Sequence, residues 1–199
     1  KNTLPPGENP VLTFGRPINQ PGKDRIELQE DSVVIPSSRF VLRQQSLRKY
    51  VLEYPWKEKS KYQVTIGAGY IKDVYGSGNN AYQKQFRADT VENYGNISVA
   101  YVLDDSLHSD TSQFLVELLN SDFAAVQSDT LSSSRKISYE TLRPEKYLIR
   151  VIYDRNRNGV WDGSNLFEKQ QPEKILVFDP GEALRANWDQ EYTINIPPE

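Results

Sequence analysis

Most apolar segments of this chain are apolar at every second residue and only for a few residues at a stretch. From Lys146, KYLIRVIY sets Tyr147, Ile149, Val151 and Tyr153 on one side and Leu148, Arg150 and Ile152 on the other. RKYVLEY does the same with Tyr50, Leu52 and Tyr54, KYQVTI with Tyr62, Val64 and Ile66, and NISVAY with Ile97, Val99 and Tyr101. Successive side chains of a strand point to opposite faces, so period two means strands with one face turned to a core. A helix needs period 3.6 over roughly ten residues, and no stretch sustains it. The run QFLVELL is too short to tell a helix turn from a strand and is read as a strand from its neighbours.

Turn formers cut these segments short: 12 Pro and 11 Gly are scattered along the chain. Short alternating pieces begin at Val11, Asp24, Ser32 and Phe40, and YQKQFRAD closes the first set. Residues 1–10 carry Pro5, Pro6 and Pro10, which exclude a helix or a central strand, and read as a linker or the tail of an upstream domain. Residues 89–94 read as a junction. In the second set, Pro144 marks the turn before the strand at Tyr147. KISYE, KILVF and EYTINI follow the same rule, with Ile175, Val177, Tyr192, Ile194 and Ile196 as inward faces. The pattern predicts an all-β chain of two β-sandwich domains, residues 1–92 and 93–199.

Hydrophobic residues make up 37% of the 199, enough for real cores. Lys+Arg 24 against Asp+Glu 27 leaves a net charge of −3, which argues against nucleic acid as a partner, since a phosphate backbone selects a basic face. No apolar run approaches the roughly 20 residues of a transmembrane helix. Cysteine is absent, so disulfides and thiolate metal sites are excluded.

The strand at Tyr147 feeds a loop whose side-chain oxygens recur at every second position: Asp154, Asn156, Asn158, then Gly159 and Asp162. Such a spacing can hold calcium, with oxygens from Asp154, Asn156, Asn158, the Val160 carbonyl and Asp162. Asn165 stands where a bidentate Glu would complete such a loop, with Glu168 nearby. Two carboxylates and two amides make a low-charge site, so calcium is not required for the fold, and adding it should raise the melting temperature. The other reading is a turn whose Asx side chains bond backbone N–H groups.

Several motifs carry a resemblance. Tyr62, Val64 and Ile66, the Lys72, Asp73, Tyr75, Gly76 turn and the Phe86-Arg87-Ala88-Asp89 exit resemble a bacterial Ig-like domain of surface-layer type. Leu142, Pro144, Lys146, Tyr147, Arg150, Asp154, Asn156, Asn158 and Gly159 resemble a transthyretin-like, or carboxypeptidase-regulatory-like, sandwich, with Glu145 in place of that family's glycine. Gln171-Pro172-Glu173 and Arg185-Ala186-Asn187-Trp188-Asp189 resemble the closing signature of Ig-like-domain envelope lipoproteins of Bacteroidota. The resemblance spans essentially the whole chain. It implies a non-catalytic module of the bacterial cell envelope, periplasmic or surface-exposed, held to the outer membrane by a lipid upstream of residue 1. Its partners would be other outer-membrane or cell-surface proteins. Asp-Ser/Thr-aliphatic triplets beginning at Asp31, Asp89, Asp105 and Asp129 resemble O-glycosylation acceptors of the same bacteria, the last two in loops.

The remaining candidates have plainer readings. His108 is the only histidine and sits in a polar loop, where a catalytic triad would need it buried and oriented. Asp104, Asp105, Glu27 and Glu30 read as solvated rather than as an acid–base pair. Among the tryptophans, Trp161 and Trp188 read as packing residues. Trp56, in a hydrophilic turn, is the candidate platform for a sugar, which with the loop 104–112 carries the rival reading of a glycan- or host-surface-binding module. Lys57, Lys59 and Lys61 read as a solvated edge.

Overall fold

A computed structural model describes residues 2–19, 21–104, 113–164 and 169–198. The chain divides into two compact units, Lys1–Val91 and Glu92–Glu199. Each has its own core, one drawn from residues between Leu4 and Ala88, the other from residues between Ile97 and Ile196. The protein is all-β, built as two β-sandwiches.

The first unit contains β1 (Thr3–Leu4), β2 (Val11–Thr13), β3 (Ile26–Glu30), β4 (Val33–Ile35), β5 (Val41–Ser46), β6 (Lys49–Glu53), β7 (Lys61–Ile66) and β8 (Tyr82–Ala88). One sheet runs β1-β8-β7-β3-β4, the other β2-β6-β5. Period two holds on both: Tyr50 and Leu52 of β6 and Tyr62, Val64 and Ile66 of β7 are buried against each other. Fully burying one such side chain contributes about 1.5–3 kcal/mol, and a one-residue slip would turn the whole set to water. Asp31 and Ser32, both with positive φ, make the tight turn between β3 and β4. The stretch read as a linker is partly structural: Thr3 and Leu4 pair in parallel with Arg87 and Ala88, and Leu4 enters the core. Pro does not forbid this, because β1 is a two-residue edge.

The second unit contains β9 (Gly95–Leu103), β10 (Phe114–Leu119), β11 (Ala125–Leu131), β12 (Arg135–Leu142), β13 (Leu148–Tyr153), β14 (Ile175–Phe178) and β15 (Asp189–Ile196). The sheets are β11-β10-β13-β14 and β12-β9-β15. β9, the first strand, pairs in parallel with β15, the last. β10 is buried along its whole length, which is why its sequence shows no alternation. On β14 the expected face is inverted: Ile175 and Val177 are exposed, and Leu176 and Phe178 pack on the core. Before β13 the chain turns through a tyrosine corner, in which the Tyr147 hydroxyl donates to the Arg143 carbonyl at 2.9 Å.

Candidate functional site

The loop after β13 is closed by side chains that replace a β-ladder's backbone partners. Asp154 is 1% exposed. Its Oδ2 accepts Gln113 Nε2 at 2.8 Å and the Gly159 N–H at 2.9 Å, and its Oδ1 accepts the Asn158 N–H at 3.1 Å. Bonds to an ionised carboxylate are roughly twice as strong as neutral ones, so Asp154 is the hub. Asn156 Oδ1 accepts the Asn158 N–H at 3.1 Å and Asn158 Oδ1 the Val160 N–H at 2.9 Å, two successive Asx turns. Arg157 and Gly159 take left-handed φ values of 61° and 75°, which coil the chain tightly enough for those bonds. The amide groups of Asn156 and Asn158 donate to Asp162 Oδ2 at 2.6 and 2.8 Å.

A residue outside the loop fastens it. Glu173, 4% exposed and two residues before β14, accepts the Arg155 N–H at 2.8 Å and the Asp162 N–H at 3.1 Å. The Asp162 carbonyl accepts the Glu173 N–H at 3.0 Å, and Trp161 Nε1 donates to the Glu173 carbonyl at 3.2 Å. Glu173 joins both ends of the loop to the approach to β14. The sequence signal was a lone carboxylate behind Pro172, just ahead of an apolar strand, but spacing alone does not connect it to Asp154.

Asp154, Asn156, Asn158 and Asp162 therefore form one cluster, to which Val160 contributes its N–H. Their oxygens point at N–H donors, as the turn reading requires. A calcium ion would draw on those same oxygens. No group of three or more His, Asp or Glu side chains among the described residues is arranged to hold a metal ion. Asn165, Glu168 and His108 lie outside the described residues, as does most of the loop 104–112.

The tryptophans change places. Trp56 packs edge-on against Tyr54, Tyr62 and Phe86 at centroid distances of 5.3, 4.9 and 5.4 Å, and its Nε1 donates to Asn9 Oδ1. It borders a cavity of about 350 Å³ with Pro5, Pro6 and Glu58, but its ring is part of the core's rim. Trp161 and Trp188 are the exposed ones, at 48% and 44%. Arg185 lies over the Trp188 ring at 4.7 Å.

The Arg185–Asp189 signature has a structural task. Asn187, with φ of 58°, donates its N–H to the Tyr94 carbonyl at 2.7 Å, and the Asn96 N–H donates to the Trp188 carbonyl at 2.8 Å. Gly95 lies between them, and a Cβ there would fall 2.7 Å from the Arg185 carbonyl oxygen and 2.8 Å from that of Trp188. This clamp sets the register of β15 on β9.

Two polar readings are corrected. Glu30 is buried rather than solvated: it accepts the Tyr54 hydroxyl at 2.7 Å and pairs with Lys57, a member of the supposed solvated edge. Burial raises its carboxyl pKa, yet the bonds from Lys57 and Tyr54 outweigh that and hold it below the ordinary value. Burial and the bonded Glu30 together push the Tyr54 phenol up to about 12. Of the proposed acceptors, Thr90 is buried and donates to Glu58 at 2.9 Å, and Thr130 lies within β11 rather than in a loop.

No protein-family model and no curated protein matches the chain. Among solved structures it is similar to a gamma-CGTase from alkalophilic Bacillus clarkii, at 14% identity and TM-score 0.26, over 98% of this chain and 26% of that one. It is similar to BcpA, the major pilin subunit of Bacillus cereus, at 9% identity and TM-score 0.27, over 93% and 55% of the two chains. The RrgB pilus backbone of Streptococcus pneumoniae gives 10% and 0.27, over 96% and 52%. The chain thus spans about a quarter to somewhat over half of these structures. No helix among the described residues is long and apolar enough to cross a membrane.

Proposed function

We propose that this chain is a non-catalytic module of the bacterial cell envelope, a spacer or protein–protein docking domain of an outer-membrane lipoprotein. The observation that carries the reading is how its buried carboxylates are engaged. Asp154 and Glu173 hold the loop after β13. Glu117 accepts Arg150 Nε at 2.6 Å, Glu30 pairs with Lys57 and Tyr54, and Asp73 accepts the Tyr75 and Ser77 N–H groups. Acid–base chemistry needs carboxyls poised in a cleft with separated pKa values; these are fasteners of a rigid scaffold. The Ig-like and transthyretin-like assignments, the lipid anchor and the outer-membrane location belong to the same proposal. Calcium is an optional ligand within it, held by Asp154, Asn156, Asn158, the Val160 carbonyl and Asp162.

Cross-linking in intact cells tests the reading. It expects a reproducible set of envelope proteins linked to this chain, and a chain linked to none would overturn it. The rival, a glycan- or host-surface-binding module, now draws on exposed Trp161 and Trp188 rather than Trp56. A glycan-array signal lost on Trp188→Ala or Trp161→Ala would favour it.

A further inference from the structure

The smaller sheet of the second unit, β12-β9-β15, has β12 at one edge. The Asn96 N–H donates to the Trp188 carbonyl and the Asp104 N–H to the Ile196 carbonyl, so the even-numbered residues of β9 turn their main-chain groups toward β15. Its odd-numbered residues therefore bond to β12, where Tyr101, Val99 and Ile97 stand opposite Arg135, Ile137 and Tyr139. That aims the N–H and C=O groups of Lys136, Ser138 and Glu140 away from the sheet, and no strand among the described residues pairs with them. The strands that begin and end the unit, β9 and β15, are the sheet's middle and its opposite edge.

β12 lacks the usual guards of a sheet edge. It contains no proline, and the side chains it turns inward, Ile137 and Tyr139, are uncharged core residues. β15, by contrast, presents Asp189 and Glu191 and runs into Pro197 and Pro198. The outward side chains of β12 are Lys136, Ser138 and Glu140, all exposed. Lys136 reaches Glu191 at 2.8 Å in a pair open to water, and Glu140 has no ion-pair partner among the described residues. Thr141, with φ of 56°, and a register shift between Tyr139 and Leu142 end the regular edge at Glu140.

A twofold axis normal to the sheet would pair two such edges antiparallel, outward groups against outward groups. Registers centred on Lys136 or Glu140 set like charges opposite each other. Those centred on Ile137 or Tyr139 leave both charges unmatched. Centred on Ser138, the register sets Lys136 against the partner's Glu140 at both ends, and Ile137 beside the partner's Tyr139. We propose that the second unit pairs with a second copy of this chain through β12, in this one register. The joined sheet runs β15-β9-β12 into the partner's β12-β9-β15. Each outward N–H then meets a carbonyl over about 16 Å, five residues at roughly 3.3 Å each. Opposite charges facing across the strands fix the register. The partner is the chain itself, so the inference stands apart from the docking reading.

Sedimentation of the purified chain over a concentration series at low salt tests it. A dimer is expected, which Lys136→Glu or Glu140→Lys each weakens by more than about tenfold, since either change sets like charges in both pairs. An equal mixture of the two variants, like the double variant, should recover the dimer, because every pair is again opposite in sign. Mixing would not repair a folding defect. The chain has no cysteine, so an introduced thiol reports position. Under mild oxidation Ser138→Cys should link two copies across the axis, where opposed Cα atoms lie about 5.5 Å apart. Lys136→Cys, about 13 Å from its own copy, should not. A chain monomeric up to millimolar concentration overturns the proposal. So does a dimer indifferent to both charge variants, a mixture that fails to recover, or equal linking through the two thiols.

Discussion

Replacing Asp154 with Ala isolates the fastener of the second unit. The change removes a buried carboxylate that accepts three bonds, from Gln113 Nε2, the Asn158 N–H and the Gly159 N–H. Bonds to charged groups each contribute about 1.5–3 kcal/mol, and leaving a buried donor unsatisfied costs about 1–3 kcal/mol. The Gln113 side chain can turn to water and the loop N–H groups are partly reachable, so the loss falls short of the sum. About 3 kcal/mol is expected, which for a unit of roughly 100 residues lowers Tm by about 12 °C. Asp154→Asn keeps the shape but aims an NH2 at one of the N–H donors, and should lose about 2 kcal/mol. Urea titration followed by amide resonances of β10 and β13 reads the effect, with those of β7 as the internal control. A loss under about 1 kcal/mol for Asp154→Ala would refute the hub. Repeating the titration in EDTA and in millimolar calcium separates the two readings of the loop. Equal losses mean hydrogen bonds; a much larger loss in calcium means an ion held by Asp154.

EDTA alone should leave the melting temperature of the purified chain unchanged, because the loop's bonds close without a metal; a fall of several degrees would show otherwise. Gly95→Ala should destabilise the second unit by about 1–3 kcal/mol, since the new methyl meets two backbone carbonyls, and a neutral result would remove the clamp. Tyr101 and Tyr139 share a buried hydroxyl pair at 2.9 Å. Either Phe variant should cost about 1–2 kcal/mol and the double variant less than the sum, whereas additivity in a double-mutant cycle would deny the coupling. Glu30 has a lowered folded pKa, so its contribution is present above its ordinary value of 4.5 and is lost as pH falls through the folded value. The first unit's urea midpoint should therefore drop on acidification below that point, and Glu30→Gln should flatten the dependence.

The sequence was most legible where core-facing residues recur at every second position. β6, β7, β13 and β15 announce themselves by alternation, and Tyr50, Tyr62, Val151 and Ile194 are buried as expected. Legibility fails where both faces share a character. AVQSDTL, exposed along most of β11, offers no apolar stripe, and that strand went unread. ILVF of β14 is apolar throughout, so nothing set its phase and the wrong face was chosen. Trp56 stands in a hydrophilic turn by sequence, yet Tyr62 of β7 and Phe86 of β8 join Tyr54, just past the end of β6, to surround it. Only the fold brings those rings together. Glu173 was missed for the same reason: its bonds to Arg155 and Asp162 span 18 and 11 residues of chain.

The parallel pairing of β9 with β15 has a mechanical consequence. In the second unit the leading and trailing strands lie side by side and run the same way, over eight residues from Asp189 opposite Asn96 to Ile196 opposite Leu103. Tension drawing Gly95 and Ile196 apart would load that ladder along its length, so its rungs would yield together rather than unzip one by one. A tether under flow or shear would gain its resistance from that geometry, whatever it is fastened to.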